Sequence, residues 1–155
     1  MDETVPLTPL DPGYAKLLRV RACLQSTVLL ALAGLGEVLS PLPTGLILLP
    51  IAALATWLVM VLPARRYVRW GYAFGEDRLR VVSGYLFYSD SVVPLGRIQH
   101  IDVDQGPLMR RWGLAELTVH TAGNHGATIT LPGLQRETAE AMREGIRQHI
   151  RQALD

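Results

Sequence analysis

Residues 22–64 read ACLQSTVLLALAGLGEVLSPLPTGLILLPIAALATWLVMVLPA, and Glu37 is the single charged side chain in that stretch. The hydrocarbon core of a bilayer is about 30 Å thick and takes about 20 apolar helical residues to cross. Two passes fit, one from Arg21 to Leu39 and one from Leu46 to Leu62, divided by Ser40, Pro41, Leu42, Pro43, Thr44 and Gly45. Proline lacks an amide donor and glycine favours open backbone, so the divider is a turn and the prediction is a hairpin of two membrane-spanning helices. Glu37 falls near the far end of the first pass, where a carboxylate can stay hydrated, and Pro50 falls about a turn into the second. The bland alternatives are a buried soluble hairpin and a signal peptide cleaved after Ala31-Leu32-Ala33. The length of both uncharged segments argues against the first, and the 21 residues ahead of the apolar run argue against the second.

Arginine placement gives the orientation. Lys16, Arg19 and Arg21 flank the start of the first pass, Arg65, Arg66 and Arg69 follow the second, and the connecting turn carries no basic residue. By the positive-inside rule both ends face the cytoplasm. Three segments follow: a cytoplasmic N-terminal segment (1–20), the two-span hairpin (21–64) and a cytoplasmic domain (65–155). The whole chain has 155 residues, 49% of them hydrophobic and 19% charged, which excludes a disordered chain. Its net charge of +1 lacks the basic excess that sequence-independent nucleic-acid binding needs, so no nucleic-acid partner is expected. A lone cysteine, Cys23, excludes an internal disulfide.

Beyond Arg66 the period changes to two. Val68, Trp70, Tyr72 and Phe74 alternate with Arg69, Gly71 and Ala73; Leu79 and Val81 with Arg78 and Arg80; Ile101 and Val103 with His100, Asp102 and Asp104; Leu117 and Val119 with Thr118 and His120; Ile129 and Leu131 with Thr128 and Thr130. With the aromatic stretch Tyr85–Val93, this predicts about seven antiparallel strands in a small curved or closed barrel. After the Pro132-Gly133 break, Ala139, Met142, Ile146, Ile150 and Leu154 fall at helical spacing, predicting an amphipathic helix that plugs one end of the barrel. Arg143, Arg147 and Arg151 form a second stripe on it, either solvated or facing anionic headgroups.

Chemistry-bearing groups are sparse. His100, Asp102 and Asp104 are the one compact set of metal-ligand types, and alternation puts them on one strand face, where a His-x-Asp-x-Asp run is also how a wet face looks. A metal-dependent hydrolase is the least favoured of the functions considered. His120 and His125 would approach His100 only if their strands pair. There is no Gly-x-Ser-x-Gly elbow and no phosphate-binding glycine loop, and Gly123-Asn124-His125-Gly126 reads as a hairpin turn. No enzyme, no catalytic residue, no metal and no cofactor is expected. Basic and aromatic residues converge at Gln105-Gly106-Pro107-Leu108-Met109-Arg110-Arg111-Trp112-Gly113-Leu114, either at the lipid interface or as a one-turn helix tucked under the barrel.

Three stretches carry a family resemblance: 93–103 (VPLGRIQHIDV), 105–115 (QGPLMRRWGLA) and Thr121-Ala122-Gly123. They resemble the YdbS-like bacterial membrane proteins with a bacterial pleckstrin-homology-like (PH) domain, over about Arg65 to Ile150, and the preceding hairpin is that family's usual arrangement. Met109 departs from the acidic or polar residue expected in relatives. The resemblance implies a membrane α-helical hairpin followed by an all-β PH-like split barrel capped by a C-terminal amphipathic helix. It also implies a scaffold or assembly role at the cytoplasmic face. The expected partners are membrane lipids and a membrane protein with repeated PH-like domains, or a second copy of the chain. Arg97, Gln99, Arg110, Arg111, Trp112, Arg143, Arg147 and Arg151 are the expected contact residues, for a protein partner or, in the alternative, for anionic lipid headgroups. Small residues Ala31, Gly34, Ala52 and Ala55 would let helices approach closely.

Overall fold

Asp11 starts the first helix. In the computed structural model, which describes residues 6–84, 87–122 and 128–152, its Oδ1 accepts the Gly13 amide at 2.7 Å and Pro12 occupies the first helical position. The helix α1 (Pro12–Leu39) has 28 residues and begins well before Arg21. The extension has a cause: Tyr14, Leu17 and Leu18 lie at i, i+3 and i+4 and are buried in the core of the β domain. The second helix α2 (Leu48–Val68) likewise outruns the expected Leu62 and carries Pro63 within it. The predicted strand over Val68 and Trp70 therefore does not form; the amides of Arg69 and Trp70 turn back onto the carbonyls of Arg66 and Tyr67, and Arg65 and Arg66 sit favourably in the helix's last turn.

Glu37 is not simply a hydrated carboxylate. Its Oε2 accepts the amide of Leu48 at 2.8 Å and its Oε1 accepts the amide of Gly45, so α1 caps the start of α2 across the turn. Ala33 and Ala55 are buried where the two helices touch; Ala55 was among the expected small residues, and Ala33 takes the place expected for Ala31. Outward, Leu32, Val38, Leu49 and Met60 are 61–83% exposed. Only 6% and 11% of the most apolar windows of α1 and α2 are buried in the chain itself, so the hairpin is not a soluble core.

Among the described residues seven strands form two antiparallel sheets. The first holds β1 (Thr8–Pro9), β2 (Gly71–Phe74), β3 (Arg78–Gly84) and β4 (Tyr88–Pro94) in that order. A one-turn 3-10 helix (Leu95–Arg97) leads to the second sheet, β5 (Ile98–Asp104), β6 (Leu114–Thr121) and β7 (Thr128–Gln135), with the short helix α3 (Pro107–Arg110) between β5 and β6. The helix α4 (Arg136–Gln152) places Ala139, Met142 and Ile146 in the core shared by both sheets, as the spacing predicts. The expected strand count is met, but β1 comes from ahead of the helices: it pairs Thr8 with Tyr72 and Pro9 with Gly71.

Pro132-Gly133 is not a break before a helix. Strand β7 carries both residues as a bulge, since Leu131 faces Leu117 and Leu134 faces Ala115. Gly133 has φ +68°, its carbonyl accepts the Asp11 amide at 3.0 Å, and the ring of Tyr14 lies directly on it. The predicted turn Gly123–Gly126, the start of the Tyr85–Val93 stretch, and Leu154 lie outside the described residues; β6 and β7, which flank that turn, are antiparallel neighbours.

Candidate functional site

The best-built polar site lies where β5, α3, β6 and α4 meet. Arg136, Glu140 and Arg143 fall at i, i+4 and i+7 on α4 and so share a face two turns long. Arg110, at the end of α3, completes an open cleft of about 800 Å³ with Asp104 and Gln105. Arg136 Nε holds Glu140 Oε1 at 2.9 Å; that bond raises the guanidinium's pKa and lowers the carboxyl's. The Nε of Arg143 is buried and makes no hydrogen bond among the described residues. The lining sets three guanidinium groups, those of Arg110, Arg136 and Arg143, against the carboxylates of Asp104 and Glu140, and that balance suits an anion. Arg136 escaped the sequence reading, although its seven-residue spacing to Arg143 is the signal that finds it.

The expected contact residues disperse. Arg110, Arg111 and Arg97 are exposed, and Gln99 is the exposed bulge residue of the edge strand β5, between the pairs Ile98–Thr121 and His100–His120. Trp112 is half-buried against the core, and Met109 is 4% exposed within it. The segment is thus a one-turn helix tucked under the sheets, and Met109, the departure noted in the sequence, bears on packing rather than on surface charge. Arg143 faces the cleft, whereas Arg147 and Arg151 flank a separate shallow depression with Ile150, and Arg151 holds Glu144 at 2.9 Å.

Strand pairing brings His120 to His100. Their rings lie 6.0 Å apart, and Asp102 receives both: His100 Nε2 at 2.9 Å from Oδ1 and His120 Nε2 at 3.4 Å from Oδ2. Both carboxylate oxygens are thereby engaged by neighbours on a solvent-facing strand surface. Asp104 lies apart from this set and lines the arginine cleft instead. Among the described residues no group of three His, Cys, Asp or Glu side chains is arranged to hold a metal ion.

The family model for the bacterial PH domain matches residues 27–150, from inside α1 to the last turns of α4. The chain belongs to the bacterial PH domain family. This bacterial PH domain chain is 33% identical to the transmembrane protein YdbS of Bacillus subtilis (strain 168) over an alignment of 99 residues, with 59% of this chain and 60% of that relative covered. It thus spans about three fifths of the length of the curated relative it matches. A crystal structure of a DUF1696 family protein with a pleckstrin-homology domain, from Shewanella loihica PV-4, superposes with a TM-score of 0.42 at 18% identity, covering 55% of this chain and 74% of its own. The bacterial PH domain here is preceded by two helices long and apolar enough to cross a membrane.

Proposed function

We propose that the chain is a two-pass bacterial plasma membrane protein with both termini in the cytoplasm, and that its PH domain is a non-enzymatic scaffold that holds a membrane-protein partner. The partner is a protein with repeated PH-like domains or a second copy of this chain. The basic flanks at Lys16, Arg19, Arg21, Arg65, Arg66 and Arg69, set against a turn with none, support the topology. The relative named as a transmembrane protein supports the membrane location.

One observation carries the scaffold reading: the helical hairpin and the PH domain are a single packed body. Leu10, Tyr14, Leu17 and Leu18 sit in the domain core, Gln135 Nε2 donates to Asp11 Oδ2 at 2.7 Å, and the Tyr67 hydroxyl on α2 donates to the Leu10 carbonyl at 2.9 Å. A domain fixed in this way presents a constant face, including the β5 edge with Arg97 and Gln99, to a neighbour in the same membrane. The test is crosslinking in the native host, purification in mild detergent and mass spectrometry at low salt and at about 1 M salt, where the Debye length is about 3 Å. The expected result is a stoichiometric membrane protein that survives high salt and is lost on Arg97→Glu. Its absence at both salts refutes the scaffold.

The excess of guanidinium over carboxylate groups favours a second reading, an anionic-headgroup module at the Arg110–Arg136–Arg143 cleft. On that reading only anionic lipid co-purifies, and salt or Arg143→Gln removes it.

A further inference from the structure

The end of the β3–β4 hairpin lies beside the point where α2 leaves its apolar run. That run ends at Ala64, and at 1.5 Å per helical residue Val68 stands about 6 Å beyond it. A bilayer of about 40–45 Å with a 30 Å hydrocarbon core has a polar layer of about 5–7 Å on each side, so Val68 falls at headgroup depth. Strand β2 then begins at Gly71, and register places Val82 of β3 opposite it. The hairpin continues past that pair to Gly84 and Tyr88, which face each other. Two further strand residues reach about 7 Å, and they bring the hairpin back alongside the α2 terminus.

Contacts agree with this ruler. A cavity of about 620 Å³ is lined by Leu7, Pro9, Val68, Arg69, Trp70 and Tyr88, joining the N-terminal arm, the end of α2 and the hairpin end. Of the lining residues Val68 is 77% exposed, Tyr88 75% and Leu7 42%, and Phe87, the residue before Tyr88, is 88% exposed. Arg65 and Arg66 are exposed on the last turn of α2 next to them. Exposed aromatics at headgroup depth, with arginines beside them, match the chemistry of the membrane interface, where Trp and Tyr settle and cations meet anionic lipids.

We propose that Phe87 and Tyr88 are seated in the headgroup layer beside α2, and that the cavity behind them takes the headgroup and glycerol portion of a phospholipid of that bilayer. The occupant is the bilayer rather than a second copy because Leu7, Val68, Phe87 and Tyr88 gather at the α2 exit and the hairpin end, whereas beyond Tyr88 the β4 edge exposes one large apolar side chain, Val92. The proposal rests on the two-span topology above.

The test uses the full chain with Cys23→Ser, a single cysteine and an environment-sensitive fluorophore, in vesicles of phosphatidylcholine and phosphatidylglycerol. Three positions are compared: Phe87→Cys, Leu54→Cys in mid-α2, and Gly96→Cys in the 3-10 turn beyond the far end of β4. Each is quenched by nitroxide lipids, shallow or deep, and by aqueous iodide. We expect the Phe87→Cys probe to lose emission to the shallow nitroxide and keep it in iodide, Gly96→Cys to do the reverse, and Leu54→Cys to lose emission to the deep nitroxide. Tyr88→Cys should repeat the Phe87→Cys result. If Phe87→Cys behaves like Gly96→Cys while Leu54→Cys is quenched deep in the bilayer, the proposal falls and the topology stands. Protection from iodide without nitroxide quenching means that protein covers the site, and also overturns it. A Leu54→Cys probe untouched by lipid nitroxide removes the topology and the proposal together.

Discussion

At Gly133 the backbone sits at φ +68°, and an added Cβ would lie 2.4 Å from Cγ of Tyr14. A non-glycine residue at positive φ costs about 1–2 kcal/mol and overpacking about 1–3 kcal/mol, so Gly133→Ala should lose about 2–5 kcal/mol. At about 2–4 °C per kcal/mol for a chain of this size, a thermal melt in detergent should shift down by about 4–20 °C. Adding Tyr14→Ala should cost less than the sum of the two single changes, because the clash is then gone. A Gly133→Ala protein that melts with the wild type would mean that Tyr14 does not cover the bulge. A second residue-scale expectation concerns Asp90, whose carboxyl is held below its usual range by the hydrogen bond from Arg80, with Nε 2.9 Å from Oδ1. The folded value is the lower one, so this pair's contribution is complete above the unfolded value of about 3.9 and is lost as pH falls through the folded value. In an NMR titration Asp90 should titrate below the ordinary carboxylate range, and Arg80→Gln should return it there; the pair is solvent-exposed, so global stability should barely change.

Among the elements, the helical hairpin depends on one side chain for its turn. Glu37 holds the amides of Gly45 and Leu48, and a charge-assisted bond of this kind is worth about 1.5–3 kcal/mol. Glu37→Ala should therefore raise hydrogen exchange at Gly45 and Leu48 by about 10- to 100-fold, with the amides of mid-α2 unchanged; equal exchange in both proteins would show that the cap is not formed. Sequence reading located both helices, because charge absence and length are properties of the segment alone. It gave Glu37 only a tolerated place, since the amides that it serves lie across a turn. It also ended α2 too early: Val68 and Trp70 alternate like a strand, but helical continuation past Pro63 overrides that local pattern. The α4 stripe was legible from its spacing. The arginine cleft was not, because Arg110 joins Arg136 and Arg143 only once α3 and α4 pack on the same strands. Strand pairing likewise decided the His100–Asp102–His120 set, of which the sequence showed two members in one run and the third as a distant candidate.

For the whole molecule, the N-terminal arm decides whether the PH domain stands without its hairpin. Leu10, Tyr14, Leu17 and Leu18 are at most 9% exposed, and burying each such side chain contributes about 1.5–3 kcal/mol, so together they supply about 6–12 kcal/mol. That sum rivals the 5–15 kcal/mol stability of a typical domain. A fragment of residues 65–155 should therefore show no cooperative unfolding transition, and adding a peptide of residues 6–20 should restore only part of it; a fragment that melts cooperatively by itself would refute the arm's role. The bond from Gln135 to Asp11 spans 124 residues. At about 5–20 residues per second the ribosome takes about 6–25 s to make the later partner after the earlier one. Both helices are made within that interval, and until it ends the last strand, which carries Gln135, is incomplete. Closure of the domain thus waits until both hairpin helices have been made, and the core is completed only after the apolar segment has left the ribosome.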